Sequence, residues 1–362
     1  MPSQKCNKIN KIDYNIIKLI MTTRLILGCY SKLHNSLAFA FVAKVYCVVF
    51  SIVLLYFSII EFMLAKQYGA FIIIILKIVN LILSLVVSVM SDGENLFTYL
   101  EESDKVDPSG LVKIERSKVR FCVSIFIGVF LLNLYRIMLT WSHPFNQFGV
   151  NLYVTNTLML LSLHLNHMTR MLIFEILWVR LKSLRIAMNN FASTSNPESE
   201  TQVELSSMKL VEYLLIYSRL LQSIKNIGNA PKLMMVMALP TCFIALLSTV
   251  DVVSRNIKSE FTSMFTIEVF LNIVLPCVPA VFGELGSAEA DKIKANMIKR
   301  YRVCNNDALR KKILDGIKFL EICPMNFTVW RIFAVNLSLV LSLIGVYTTY
   351  TIVLLQFHHL KT

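Results

Sequence analysis

The chain has 362 residues, 56% of them hydrophobic and only 16% charged, with a mean hydropathy of +0.62. That composition excludes an ordinary soluble domain and points to a polytopic membrane protein. A net charge of +13 would suit a nucleic-acid partner, but the basic residues cluster in alternate loops, which reads instead as a membrane orientation signal.

Residues 1–38 form a basic amino-terminal segment holding Lys5, Lys8, Lys11, Lys18, Arg24 and Lys32. They lack the short apolar core and small-residue end of a cleavable signal, so the first membrane helix is expected to serve as an uncleaved anchor. Seven spans follow, at about 39–62, 69–91, 119–141, 149–178, 232–254, 262–286 and 331–357. In the second, Phe71 to Leu76 is wholly apolar; in the third, so is most of Phe121 to Leu134. The fourth is more polar, with His164, Asn166, His167, Arg170 and Glu175, and the alternation of loop charges requires it.

The loops carry their own signals. Asp107-Pro108-Ser109-Gly110 marks a turn in the first cytoplasmic loop. Asn196-Pro197-Glu198-Ser199 breaks the chain before a helical pattern whose apolar face runs from Leu205 through Leu214 and Tyr217 to Ile224. Ala288 to Leu320 also reads as helix, rich in Lys and Arg. It is either a solvated basic surface near anionic lipid or part of an intracellular assembly domain.

On this layout, 27 Lys and Arg lie in the amino-terminal segment and the loops on its side, against 4 on the other side. The asymmetry places the amino terminus in the cytoplasm and, after seven spans, the carboxyl terminus outside. G-protein-coupled receptors have the opposite orientation. The chain also lacks Asp-Arg-Tyr after the third span and Asn-Pro-x-x-Tyr in the seventh. No internal repeat supports an inverted-repeat transporter.

Eight cysteines are present, but none forms a C-x-x-C pair and none lies in a predicted outer loop. Neither an extracellular disulfide framework nor a structural zinc site is expected. The glycosylation patterns at Asn326 and Asn336 fall on the cytoplasmic side and in the membrane, so neither is expected to be modified. No constellation looks catalytic, so the chain is not expected to be an enzyme or to need a metal or cofactor. His164 and His167 stand three apart on one helix, and without a matching carboxylate or Cys they read as packing or polar lining.

A ligand site is expected in the outer half of the bundle. There the third span brings Tyr135, Arg136 and Trp141, the fourth Tyr153, Asn156 and His164, and the sixth Glu268 and Asn272. Trp141 and Tyr153 also fit an aromatic belt at the membrane interface. Arg136 and Glu268 are costly in a membrane unless paired, and an ion pair between them would offset that cost.

In the last span, Ser338, Ser342, Gly345, Thr349 and Gln356 fall in one sector, completed by Ile352 and Val353. Such a stripe serves either close helix packing or a water-lined pore. The span ends Thr349-Tyr350-Thr351-Ile352-Val353-Leu354-Leu355-Gln356-Phe357, which resembles the closing signature of insect gustatory receptors. The likeness reaches back through Phe319-Leu320-Glu321-Ile322-Cys323-Pro324 and Asn326-Phe327-Thr328-Val329-Trp330.

The resemblance implies a tastant-gated, non-selective cation channel of four subunits in the plasma membrane of sensory neurons. It implies that the last helix lines the pore, with Gln356 and Phe357 near the outer constriction. It also implies intracellular assembly by the cytoplasmic helices. The expected fold is all-α with seven transmembrane helices. The expected domains are a cytoplasmic segment 1–38, transmembrane helices and loops 39–286, assembly helices 287–330, and the pore helix with a short tail 331–362. Thr351 stands where the sugar-sensing branch typically has Glu, which leans toward a bitter-type or divergent receptor. The alternatives are an odorant receptor subunit and a secondary transporter.

Overall fold

The computed structural model describes residues 11–31, 36–64, 68–90, 120–141, 147–193, 200–225, 232–238, 240–244, 259–329 and 333–359, nearly all of them helical. Six predicted spans coincide with α2 (Leu37–Leu64), α3 (Tyr68–Met90), α4 (Arg120–Trp141), α5 (Gln147–Ser193), α8 (Ser259–Val303) and α10 (Leu337–His359). The fifth matches a shorter apolar helix, α7 (Lys232–Ile244), and the rest of that span lies outside the described residues. Among the described residues, Leu37–Ile60, Phe121–Met138 and Phe270–Val303 are long and apolar enough to cross a membrane by themselves.

The amino-terminal segment contains a helix that the periodicity reading passes over, α1 (Lys11–Ile26). It buries Ile17, Ile20 and Met21. Gly28 ends it at φ +82°, with Gly28 N–H donating to the Leu25 carbonyl and Cys29 N–H to the Arg24 carbonyl, both at 3.0 Å. This glycine-closed helix end needs a residue without a β-carbon, because one at Gly28 would stand 2.5 Å from the Phe50 ring.

The polarity of the fourth span has a structural reason. Its helix α5 packs against α1, α2, α3, α4, α6 and α8, and is buried along most of residues 156–184. A helix surrounded by protein need not present hydrocarbon to lipid, so polar side chains are tolerated where partners meet them. Glu175 is one case. Its two carboxylate oxygens accept from the Phe121 and Cys122 backbone N–H groups at 3.0 and 3.1 Å, satisfying the first turn of α4.

Beyond the spans, α5 and α8 continue and are joined by α6 (Glu200–Lys225) and α9 (Asp307–Ile322). Arg185 Nε donates to Glu289, which also receives Lys292 Nζ at 2.9 Å. Burial opposes charge on Glu289, but hydrogen bonds from Lys292 and Arg185 outweigh it and hold the carboxyl below its ordinary range. The helix expected over Ala288–Leu320 is in fact two. Asn306 has extended backbone and its side chain accepts from Leu309 N–H at 3.1 Å, so it starts α9 as an N-cap and interrupts the run. α9 then turns Leu309, Ile313, Ile317 and Leu320 inward, packing on α8 and α6.

The last helix begins at Leu337, later than the predicted span start at 331. Thr328–Val329 pairs antiparallel with Phe333–Ala334, so this stretch is a short two-stranded ladder before it becomes helix. Its position is fixed from three sides. Tyr217 donates to the Cys323 carbonyl at 3.1 Å, Phe327 meets Phe174 edge to face at 4.9 Å, and Val329 is fully buried. Asn336 then caps α10, its side-chain oxygen accepting from Leu339 N–H at 3.2 Å.

Candidate functional site

Charged side chains inside membrane helices are costly and mark functional positions by default. Two of them, Lys77 on α3 and Arg170 on α5, border one cavity of about 60 Å³. α3 adds Leu76 and Asn80; α5 adds Leu160, Leu163, Asn166 and His167; α7 adds Met234, Ala238, Thr241 and Cys242; α8 adds Asn272 and Pro276. The spacing explains the convergence, since Lys77 and Asn80 share one face of α3 while Asn166, His167 and Arg170 share one face of α5.

Hydrogen bonds hold the polar wall. Lys77 Nζ donates to Asn156 Oδ1 at 3.3 Å. Arg24 of α1 reaches across to Asn166 Oδ1 at 2.8 Å and Thr169 Oγ1 at 2.6 Å, and Asn166 Nδ2 donates to Ser84. A guanidinium can only donate, so the 2.7 Å contact between Arg170 and His167 makes Nδ1 the acceptor. The His167 ring proton therefore sits on Nε2.

A second cavity, of about 20 Å³, lies against the last helix. Arg170, Ala238 and Pro276 border both cavities, and Leu339, Val340 and Leu343 of α10 complete the second. Arg170 is 4% exposed and stands between the larger cavity and α10.

Of the sequence-selected ligand residues, Asn272 lines the larger cavity and Asn156 holds the lysine that lines it. His164 is buried in α5 but does not border it, and Arg136 is buried in α4 away from it. Tyr135 is 50% exposed on the outer surface of α4. The side chains of Trp141, Tyr153 and Glu268 lie outside the described residues, and with them the expected Arg136–Glu268 pair. The cavity borders the middle of the predicted second, fourth and sixth spans and the start of the fifth, deeper than the outer half where a site was expected. Lys77, Asn80, Thr241 and Cys242 were not among the selected residues. The signal that could have found the first is its charge inside an otherwise apolar span.

Among the described residues, α10 is seated by one face. Leu339, Val340, Leu343, Tyr347 and Thr351 are partly buried, and the helix packs on α8. Glu284 of α8 accepts from Leu337 N–H at 3.5 Å. Near its other end, Tyr350 meets Phe243 of α7 edge to face at 5.6 Å. Ser342, Gly345, Thr349, Ile352, Val353 and Gln356 are exposed, and a β-carbon on Gly345 would touch nothing within 4 Å. The small-residue stripe therefore does not pack against the described parts of its own subunit. Ser342 and Thr349 hydroxyls donate back to the Ser338 and Gly345 carbonyls at 2.9 and 3.0 Å. The Phe357 side chain lies outside the described residues.

Comparison with known proteins agrees with this architecture. The family model for the 7tm chemosensory receptor matches residues 21–360. The fold is similar to that of the insect olfactory receptor OR5 from Machilis hrabei, with a TM-score of 0.69 and 15% identity over 96% of this chain and 99% of that one. It is equally similar to the same receptor in complex with eugenol, with a TM-score of 0.68 and 16% identity over 95% and 98% of the two chains. No curated protein matches the chain in sequence.

Proposed function

We propose a function from the premise that this chain belongs to the 7tm chemosensory receptor family. It is a gustatory receptor of bitter-type or divergent kind, acting as a tastant-gated, non-selective cation channel rather than as an enzyme. Four subunits, identical or related, surround a pore lined by α10. The protein sits in the plasma membrane of sensory neurons, with a cytoplasmic amino terminus.

The observation that carries this reading is the seating of α10. Its apolar side packs on α8, while the stripe through Ser342, Gly345 and Thr349 faces away from the described residues of its own subunit. Hydroxyls exposed to lipid gain nothing, whereas a rotational assembly turns them toward a shared axis. The eugenol complex of the similar olfactory receptor supports a small-molecule ligand. That likeness also favours a second reading, an odorant receptor subunit. The Thr349-Tyr350…Gln356-Phe357 ending favours taste.

Expression of the full chain in cells, alone and with related subunits, tests the proposal. A tastant panel should evoke single-channel openings that reverse near 0 mV in mixed sodium and potassium. Flux that saturates at transporter turnover and needs a coupled ion gradient would overturn it.

A further inference from the structure

The extension that α8 makes beyond its span changes character at its far end. Nearer the span its cations are matched. Arg185 and Lys292 share Glu289, and Lys294 Nζ meets Glu321 at 2.9 Å. At the tip, where α8 ends and α9 begins, residues 299–312 hold Lys299, Arg300, Arg302, Arg310, Lys311 and Lys312 against one acid, Asp307. Among the described residues, Lys299, Arg302 and Lys311 are exposed and form no ion pair.

The tip is held in one shape. The Arg310 guanidinium lies 4.7 Å over the Tyr301 ring and ties α9 to α8, while Lys312 Nζ donates to Ser207 Oγ of α6 at 2.9 Å. Asn306 caps α9 between them. A backbone fixed in this way loses little freedom when a partner binds.

Like charges gathered at one end repel, and an acidic partner relieves that cost. A second copy of the tip would add to it. Bilayer lipid is out of reach, because α8 runs 17 residues past the predicted span end at Gly286, about 25 Å of helix against a screening length of about 8 Å. Nucleic acid is bound by open aromatic platforms, and Tyr301 is covered by Arg310. Val303 is 64% exposed, one turn from Lys299 on the same face of α8. A polypeptide can bring an apolar side chain to it together with carboxylates.

We propose that the tip formed by the end of α8 and the start of α9 is a docking surface for a soluble protein partner that presents an acidic segment interleaved with apolar side chains. On the orientation proposed above, that partner is cytoplasmic.

The test uses the full-length receptor in phosphatidylcholine nanodiscs and a fluorescent peptide of Glu-Glu-Leu repeats. Anisotropy should show saturable binding that weakens as salt rises. A Gln-Gln-Leu peptide should bind at least about tenfold more weakly for want of charge attraction. A Glu-Glu-Ser peptide should also bind more weakly, for want of the apolar contact. Arg302→Gln combined with Lys311→Gln should weaken the acidic peptide about fivefold, as for losing two exposed ion pairs. Lys18→Gln combined with Lys225→Gln removes the same charge from exposed positions elsewhere and should change little. Absence of saturable binding, equal binding of the glutamine or the serine peptide, or equal effects of the two double variants would each overturn the docking surface. Displacement of the peptide by oligouridylate or by phosphatidylserine vesicles at the same total charge would assign the tip to nucleic acid or to membrane, and would overturn the protein partner.

Discussion

A β-carbon on Gly283 would stand 2.6 Å from the Val335 carbonyl oxygen. The segment entering the last helix thus crosses α8 at the one residue type that admits it. Backbone cannot retreat as a flexible side chain can, so Gly283→Ala should push the start of α10 off α8. The expected cost is about 1–3 kcal/mol, as for other overpacked contacts. Thermal unfolding of purified receptor should show a lowered midpoint, and surface labelling should show fewer receptors. A variant as stable as the parent would mean that the crossing is looser than its geometry.

Glu175 closes the first turn of α4 from a neighbouring helix. Glu175→Ala leaves the Phe121 and Cys122 N–H groups without that acceptor and should destabilise the protein by about 1–3 kcal/mol. Glu175→Gln retains one oxygen and should recover part of the loss. Identical melting of all three proteins would remove this cap from the account of stability.

The contacts of Glu289 make the packing of α8 on α5 sensitive to acid. Its carboxyl titrates below its ordinary range, so the stabilisation is present above the unfolded-state value and is lost as pH falls through the folded one. Glu289→Gln should therefore melt earlier than the parent at neutral pH, with the difference closing in acid. A pH-independent gap would point to packing rather than charge.

Much of the architecture was legible in the residues because membrane helices advertise themselves. Unbroken runs such as Phe71–Leu76 have few other homes. α1 was missed although Gly28 announces its end, because basic residues in 1–38 read as a flank rather than as one side of a helix. The ladder at Thr328–Ala334 is too short for an alternating pattern, and what holds it are the distant partners Phe174 and Tyr217. The cavity was harder still, since it draws on four helices that sequence spacing cannot align. Tyr135 shows the limit from the other side. α4 is apolar nearly all round, so its periodicity does not say which side meets lipid.

Gln356 separates pore lining from helix adhesion. On the channel reading, Gln356→Ala should reach the surface normally and conduct differently, because four amide oxygens near the mouth have gone. Gln356→Glu should raise relative permeability to divalent cations. Reversal potentials in sodium- and calcium-rich solutions measure both. Unchanged conductance, block and selectivity in both variants at normal surface levels would take Gln356 out of the ion path.

On the channel reading, the hydroxyls of α10 have a consequence for the sign of the ion. Ser342, Thr348 and Thr349 each donate their only side-chain proton to a carbonyl of their own helix. The oxygens that remain outward offer lone pairs and no hydrogen, so these hydroxyls suit a cation better than an anion. Repeated around a symmetry axis, that one-sided chemistry would discriminate between charges without any charged side chain, and would do so equally for sodium and potassium.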